Sequence, residues 1–136
     1  MPADNPYSDG YRQVPDVSAS ADPMTGYIVY DSTTSCSGDQ CFNAVGGTSA
    51  ATPLWGSLVA LANQQATANG KKSLGFINPM LYALGRGELG PSPFHDVTDG
   101  GNLYYQATPG WDYSTGWGTP DAAAVVKDLA AQAPGA

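Results

Sequence analysis

The stretch best suited to chemistry is a glycine pair followed by two small hydroxyl residues, Gly46-Gly47-Thr48-Ser49. Two glycines let the backbone turn sharply and approach a ligand closely. A hydroxyl residue at a helix start lies where the first N–H groups are unpaired, at the positive end of the helix dipole. Those N–H groups can stabilise the oxyanion that forms when a serine attacks a carbonyl group. The pattern favours Ser49 as a nucleophile, with Gly47 and Thr48 in the substrate cleft.

A simpler interpretation is that Thr48 or Ser49 only caps a helix, as Ser and Thr commonly do. The tetrapeptide alone favours that cap. The preceding glycines, the proline at position 53 and the uncharged segment behind them shift the balance toward a nucleophile.

The element that must position Ser49 is predicted to be a long helix. No charged residue lies between Thr48 and Gly70, and apolar residues recur there at helical spacing. A helix that is apolar nearly all round is expected to be buried. Pro53 is expected in its first turn, and Gly70 is expected to end it.

The other elements are predicted to be short. Strands are expected at 14–19, 27–31 and 42–45, with strand fragments near 96–98 and 104–107. A second helix should follow Asn78-Pro79 and end at Gly85. A last helix should begin at Thr119 as N-cap, with Pro120 in the first turn and Asp121 near the positive end of the dipole.

The charge of the chain restricts the classes of partner that it is expected to bind. The chain has 136 residues, enough for one domain, with a net charge of −7 and only five Lys or Arg residues. The basic residues form no stripe that could follow a phosphate backbone, so nucleic acid and anionic membranes are not expected partners. No apolar run approaches the roughly 20 residues of a membrane-spanning helix.

Cys36 and Cys41 enclose four residues. Two Cys and one His cannot form a Cys/His zinc site, which leaves a disulfide or two free thiols. The disulfide is favoured if the protein is exported.

The segment around Ser49, with its proline four residues later, resembles the nucleophile segment of the subtilisin superfamily. The longer agreement is with its acid-acting branch, the sedolisins or serine-carboxyl peptidases. Four further stretches are similar to sedolisin landmarks and occur in the same order: 12–23, 75–82, 94–100 and 109–116. The resemblance implies an α/β fold, the C-terminal portion of a subtilisin-like layered fold with a mainly parallel sheet and a buried nucleophile helix. Residues 1–136 would then be the C-terminal part of one catalytic domain whose N-terminal part is absent.

The resemblance also implies how Ser49 is activated. In sedolisins a Glu activates the serine, an Asp orients that Glu, and another Asp stabilises the oxyanion. These residues belong to segments N-terminal to the start of this chain. Glu88, the only Glu, does not match them, and Asp16 and Asp22 are expected to be structural carboxylates at turns and strand ends. We therefore expect the 136 residues alone to be inactive, and the parent protein to be secreted and to cleave peptides or proteins at acidic pH.

A calcium site is the second implication of the resemblance. Carried over, its ligands for one Ca²⁺ are Asp96, Val97, Thr108, Gly110 and Asp112. Thr108 departs from the family, which usually has glycine there, and a carbonyl ligand tolerates it only without a positive φ. Two carboxylates with carbonyls and a water would give the oxygen ligands that calcium prefers. Without the resemblance, these Asp residues could equally be ordinary side chains of Gly-rich turns.

Two other functions stay open. The chain could be a catalytically inactive, calcium-stabilised binding module derived from such a peptidase. It could also be a self-sufficient serine hydrolase that uses His95, the only His. His95 follows Ser49, against the subtilisin order, and Ala51 breaks the Gly-x-Ser-x-Gly pattern of α/β-hydrolases, so His95 is expected to be structural.

Overall fold

The computed structural model describes residues 10–33 and 36–135. They contain the helices α1 (Thr48–Ala68), α2 (Asn78–Gly85) and α3 (Ala122–Gln132), and the strands β1 (Tyr27–Tyr30), β2 (Phe42–Val45), β3 (Phe94–His95) and β4 (Thr119–Pro120). The chain divides into two compact units. The hairpin unit comprises Ala19–Ser57, and the core unit comprises the described residues before and after it. No helix within the described ranges is long and apolar enough to cross a membrane.

The hairpin unit is built on β1 and β2, which pair antiparallel with Tyr27 opposite Val45 and Tyr30 opposite Phe42. The rings of Tyr30 and Phe42 lie 5.1 Å apart between centroids. Aromatic and β-branched residues stabilise strands through such cross-strand pairs. Both faces of the hairpin are nevertheless open, and Ile28 is 71% exposed.

The core unit buries one stripe from each helix. Spacings of three or four residues place buried side chains on one face of a helix. These side chains are Leu58, Ala62 and Ala66 from α1, Leu81 and Leu84 from α2, and Val125, Leu129 and Ala130 from α3.

The end of α2 packs against Trp117. Tyr82 meets the indole edge-on, with ring centroids 6.0 Å apart. Gly85 approaches the same indole so closely that a Cβ at this position would overlap it. A glycine is therefore required for α2 to pack here.

Asp16 anchors the segment that precedes the hairpin unit. Its carbonyl oxygen accepts the Trp117 N–H at 3.0 Å, and its Oδ2 accepts the Asn78 side-chain amide at 3.0 Å and Arg12 at 2.6 Å. The Ser18 N–H adds a bond to the Gly118 carbonyl at 3.0 Å. The predicted strand at 14–19 thus has backbone bonds but no regular strand, and Asp16 has the structural role expected of it.

Helix α1 begins at Thr48 as predicted and ends at Ala68, before Gly70, whose φ is +70°. The prediction for Pro53 was wrong, because Pro53 is the sixth residue of α1 and lies beyond the first turn. Only three α1 side chains are buried, and Leu61 is 50% exposed. The expected all-round burial is absent because the described residues cover only one stripe of this helix.

The start of α3 also differs from the prediction. Its N-cap is Asp121, whose Oδ1 accepts the Ala124 N–H at 3.0 Å, whereas Thr119 and Pro120 form β4. Asp is a strong cap, and Thr119 is instead held in antiparallel pairing with His95.

The strand fragments predicted near 96–98 and 104–107 are irregular, and the strand in this region, β3, lies at 94–95 instead. Both strand pairs in the described residues are antiparallel, so the parallel sheet stays a prediction.

Candidate functional site

The connection from β2 to α1 consists of two residues, Gly46 and Gly47. Gly47 has a φ of +88°, in the left-handed region that side chains disfavour. Thr48 and Ser49 follow as the first two residues of α1, and both are exposed. The glycine turn therefore places the Ser49 hydroxyl in the first turn of a 21-residue helix.

The first turn of α1 leaves donors available. The Gly47 carbonyl accepts the N–H groups of Ala50 at 2.9 Å and Ala51 at 3.3 Å. The backbone N–H groups of Thr48 and Ser49 donate no hydrogen bond within the described residues. Two free N–H groups at a helix start attract an anion, since the helix dipole adds to their own partial charge. This geometry is suited to an oxyanion formed next to Ser49.

A serine nucleophile needs a base, and no described carboxylate of the hairpin unit bonds to Ser49. Asp22 accepts the Met24 N–H at 2.8 Å, and Asp31 accepts the N–H of Thr33 at 2.8 Å and its hydroxyl at 2.6 Å. The bond from the Thr33 hydroxyl lowers the pKa of Asp31. Both described carboxylates of this unit are thus occupied by local turns, and neither bonds to the Ser49 hydroxyl.

Glu88 is engaged elsewhere. It lies in the exposed turn after α2, and its Oε1 is 2.5 Å from Nε of Arg86. This hydrogen bond lowers the pKa of Glu88. The ion pair and the location confirm that Glu88 belongs to a local turn of the core unit.

His95 lies in β3, opposite Thr119, with an exposed side chain. It lines an open pocket of about 320 Å³ together with Phe94, Asp121 and Lys127. The side chain is thus exposed rather than packed, and the structural role predicted for His95 stays a prediction.

The predicted calcium ligands lie around one loop. Asp112 is 5% exposed, and its Oδ1 accepts the N–H groups of Ser114 and Thr115, each at 2.8 Å. Its Oδ2 accepts the Thr108 N–H at 2.9 Å. Asp96 reaches the same loop, with Oδ2 accepting the Gly110 N–H at 2.7 Å. Both carboxylates therefore contact the segment 108–112.

Three of the predicted ligands are backbone carbonyl groups. Those of Val97, Thr108 and Gly110 accept no hydrogen bond from the described residues. Leu103 is the only non-glycine described with a positive φ, so Thr108 is free of the strain that would disfavour it. No cluster of three or more His, Cys, Asp or Glu side chains occurs within the described ranges. A cation here would rely on two carboxylates and three carbonyls, all oxygen donors suited to Ca²⁺.

Cys36 and Cys41 form a disulfide, with Cα atoms 5.4 Å apart. Of the two possibilities that the sequence left open, the structure contains the bond and no free cysteine among its described residues. The bridge closes the loop directly before β2.

The glycine turn is supported by a contact that the sequence does not reveal. The Gly47 N–H donates to the Ala21 carbonyl at 2.5 Å. Asp22, predicted to be a structural carboxylate, is the N-cap of the 3-10 turn Pro23–Thr25. The Asp-Pro pair signals such a capped turn, but a backbone carbonyl such as that of Ala21 leaves no mark in a sequence.

Comparisons by sequence and by structure both find peptidases among the proteins that this chain resembles. Kumamolisin from Bacillus sp. (strain MN-32) is 43% identical over 126 residues, which cover 88% of this chain and 20% of kumamolisin. Tripeptidyl-peptidase 1 from Homo sapiens is 34% identical over 139 residues, 95% of this chain and 22% of that protein. The chain thus spans about a fifth of the length of these curated relatives.

Among solved structures, Pseudomonas sedolisin, a serine-carboxyl proteinase complexed with two molecules of pseudo-iodotyrostatin, matches with a TM-score of 0.67. The two chains are 35% identical, and the match covers 88% of this chain and 30% of that one. No family model matches the chain.

Proposed function

Because the chain is homologous over most of its length to a part of the sedolisins, the serine-carboxyl proteinases, we propose that it carries the nucleophile of a serine peptidase acting at acidic pH. The observation that supports this proposal most is the first turn of α1. Ser49 is exposed there beside two backbone N–H groups that donate to no other group in the described part of the chain. Peptides or proteins are the substrates this chemistry serves.

Ser49 would attack the scissile carbonyl carbon through its hydroxyl oxygen. The N–H groups of Thr48 and Ser49 would stabilise the negative charge on the former carbonyl oxygen, helped by the dipole of α1. Gly47 has no side chain, so the substrate backbone could approach the turn closely. The hydroxyl must lose its proton in this step, which requires a base.

We propose that this base is a Glu outside the 136 residues, oriented by an Asp, with a further Asp at the oxyanion. The only Glu of the chain is paired with Arg86, and the described carboxylates of the hairpin unit cap local turns. A carboxylate with an ordinary pKa near 4 is deprotonated in mildly acidic solution and could act there as a general base. We also propose that the protein is secreted. The support is the disulfide, because disulfides persist in oxidising compartments.

One Ca²⁺ is proposed in the core unit, held by Asp96, Asp112 and the carbonyls of Val97, Thr108 and Gly110. It would stabilise the loop 108–112 rather than take part in the reaction. The support is that both carboxylates contact this loop, while the three carbonyls accept no hydrogen bond from any residue that the structure describes.

The test is reconstitution. The chain alone should cleave no peptide between about pH 3 and 8, because an unassisted serine hydroxyl stays protonated. Addition of the complementary part of a sedolisin should produce cleavage at acidic pH. Ser49→Ala should abolish that cleavage, whereas Ser57→Ala should retain it, since the Ser57 hydroxyl only bonds back to the Pro53 carbonyl in the same helix.

Two results would reject the proposal in favour of the other functions. Cleavage by the isolated chain that is lost in both Ser49→Ala and His95→Ala would establish the Ser–His hydrolase. A reconstituted complex that binds peptides without cleaving them would establish the binding module.

A further inference from the structure

The turn that precedes Ser49 rests on backbone from earlier in the hairpin unit. Gly47 donates its N–H to the Ala21 carbonyl at 2.5 Å. A Cβ at Gly46 would come within 2.5 Å of the Pro23 nitrogen and 2.6 Å of the Ala21 oxygen. Real Cβ atoms do not approach other atoms so closely, so the glycine pair and Ala21–Pro23 form one backbone-to-backbone contact.

The segment Ala21–Pro23 is itself fixed by Asp22. Its Oδ1 accepts the Met24 N–H at 2.8 Å, and its carbonyl accepts the Thr25 N–H at 3.2 Å. These bonds cap the 3-10 turn Pro23–Thr25 at its N-terminus. At the other end of the turn, Gly26 contacts the Val45 carbonyl so closely that a side chain there would overlap it.

We propose that Asp22 is a positioning residue for Ser49. Its cap holds the Ala21 carbonyl in place, and that carbonyl fixes Gly47 in its left-handed conformation. Gly47 directly precedes the N–H groups of Thr48 and Ser49, so the cap sets where these donors and the hydroxyl point. Asp22 touches no reacting atom. The inference rests on the proposed function, because a positioned hydroxyl matters only if Ser49 is the nucleophile.

The proposal requires an acceptor oxygen at position 22, but it does not require a negative charge there. Asn supplies the same acceptor as Asp and is an equally good cap, whereas Ala supplies none. In the reconstituted enzyme, Asp22→Ala should therefore lower kcat about fivefold at nearly unchanged KM. Asp22→Asn should restore kcat to about the wild-type value. Equal losses in both variants would mean that the charge acts in the reaction, and no loss in Asp22→Ala would mean that the cap is irrelevant; either result overturns the proposal.

A second readout does not depend on activity. In the 136-residue chain, hydrogen exchange at the Gly47 amide should accelerate about fivefold in Asp22→Ala and stay unchanged in Asp22→Asn. Exchange at the Leu129 amide, in α3 of the core unit, serves as the control and should not change. An unaltered Gly47 rate in Asp22→Ala would refute the positioning role even if the enzyme is active. A reconstituted wild type without activity would instead refute the proposed function, whatever the exchange shows.

Discussion

Gly85 contacts the indole ring of Trp117 so closely that position 85 accepts no side chain. The contact joins the last residue of α2 to the loop before β4, and it leaves Tyr82 edge-on to the same indole. The conformation of Gly85 is helical, so the close approach, and not the backbone angle, is what requires glycine.

Gly85→Ala should destabilise the chain by about 1–3 kcal/mol, because the added methyl group must displace Trp117 or α2. Urea unfolding followed by tryptophan fluorescence measures the change. Gly56→Ala is the matched control, since a Cβ at Gly56 in α1 meets nothing within 4 Å. That variant should be neutral or stabilise α1 by up to about 1 kcal/mol. Equal unfolding curves for Gly85→Ala and wild type would contradict the contact.

Calcium should raise the melting temperature of the chain, because a ligand that binds only the native state stabilises it by mass action. Asp96→Asn should remove most of this increment, since it removes one of the two carboxylate charges. Asp112→Ala should remove it as well, and should also lower the melting temperature in chelator, because three N–H groups lose their acceptor. Asp121→Asn, at the N-cap of α3, keeps its cap and should keep the full calcium increment. If wild-type melting is identical in calcium and in chelator, the loop is not a calcium site.

The disulfide between Cys36 and Cys41 should stabilise the folded chain by about 2 kcal/mol, because it closes a short loop in the unfolded state. Thiol counting on denatured, unreduced protein should find no free thiol. A double Cys36→Ser, Cys41→Ser variant should unfold at lower urea and give the same curve with and without reductant. Two reactive thiols in exported protein would disprove the bond.

Tyr82 should ionise at a higher pH in the folded chain than in the unfolded chain. Burial, with the nearby Asp16, raises the pKa of Tyr82 from 10 to about 12. A raised folded-state pKa means that the native chain holds this proton more tightly than the unfolded chain does. The stability it contributes is complete below about pH 10 and is lost as the pH rises toward 12.

An alkaline titration of tyrosinate absorbance checks this expectation. Tyr82→Phe should remove the ionisation near pH 12, and Asp16→Asn should shift it to lower pH, since Asp16 no longer repels the phenolate. Tyr104→Phe, at an 87% exposed side chain, is the control and should leave that step in place. An unchanged titration in Tyr82→Phe would contradict the assignment.

The sequence predicted the elements that local chemistry controls. The start of α1 at Thr48 and the end of α2 at Gly85 were confirmed, because glycine turns and helix spacing act within a few residues. The cap of α3 was misplaced by two residues, since Thr119 and Asp121 are both acceptable caps and pairing with His95 decides between them. The buried stripe of α1 was overestimated, because burial depends on neighbours that a helix pattern does not reveal.

The candidate site divides in the same way. The sequence pointed to Ser49 because a side chain and its spacing carry a signal, and its role as a nucleophile stays a prediction. The support from Ala21 was not found, because a carbonyl group is common to every residue and its partner, Gly47, lies far along the chain. For the predicted calcium ligands, the acids were visible in the sequence. That the carbonyls of Val97 and Gly110 accept no hydrogen bond among the described residues became apparent only from the structure.

The open hairpin of β1 and β2 has a consequence for how the isolated chain behaves in solution. Within the described residues no third strand pairs with either one, and Ile28, Tyr30 and Phe42 are each more than half exposed. Protein chains aggregate through unpaired strand edges that carry apolar side chains. The net charge of −7 opposes such growth at neutral pH, but it vanishes near the isoelectric point of about 4.1. Colloidal stability should therefore be lowest in the same acidic range in which Ser49 is proposed to act, and light scattering should rise there with protein concentration.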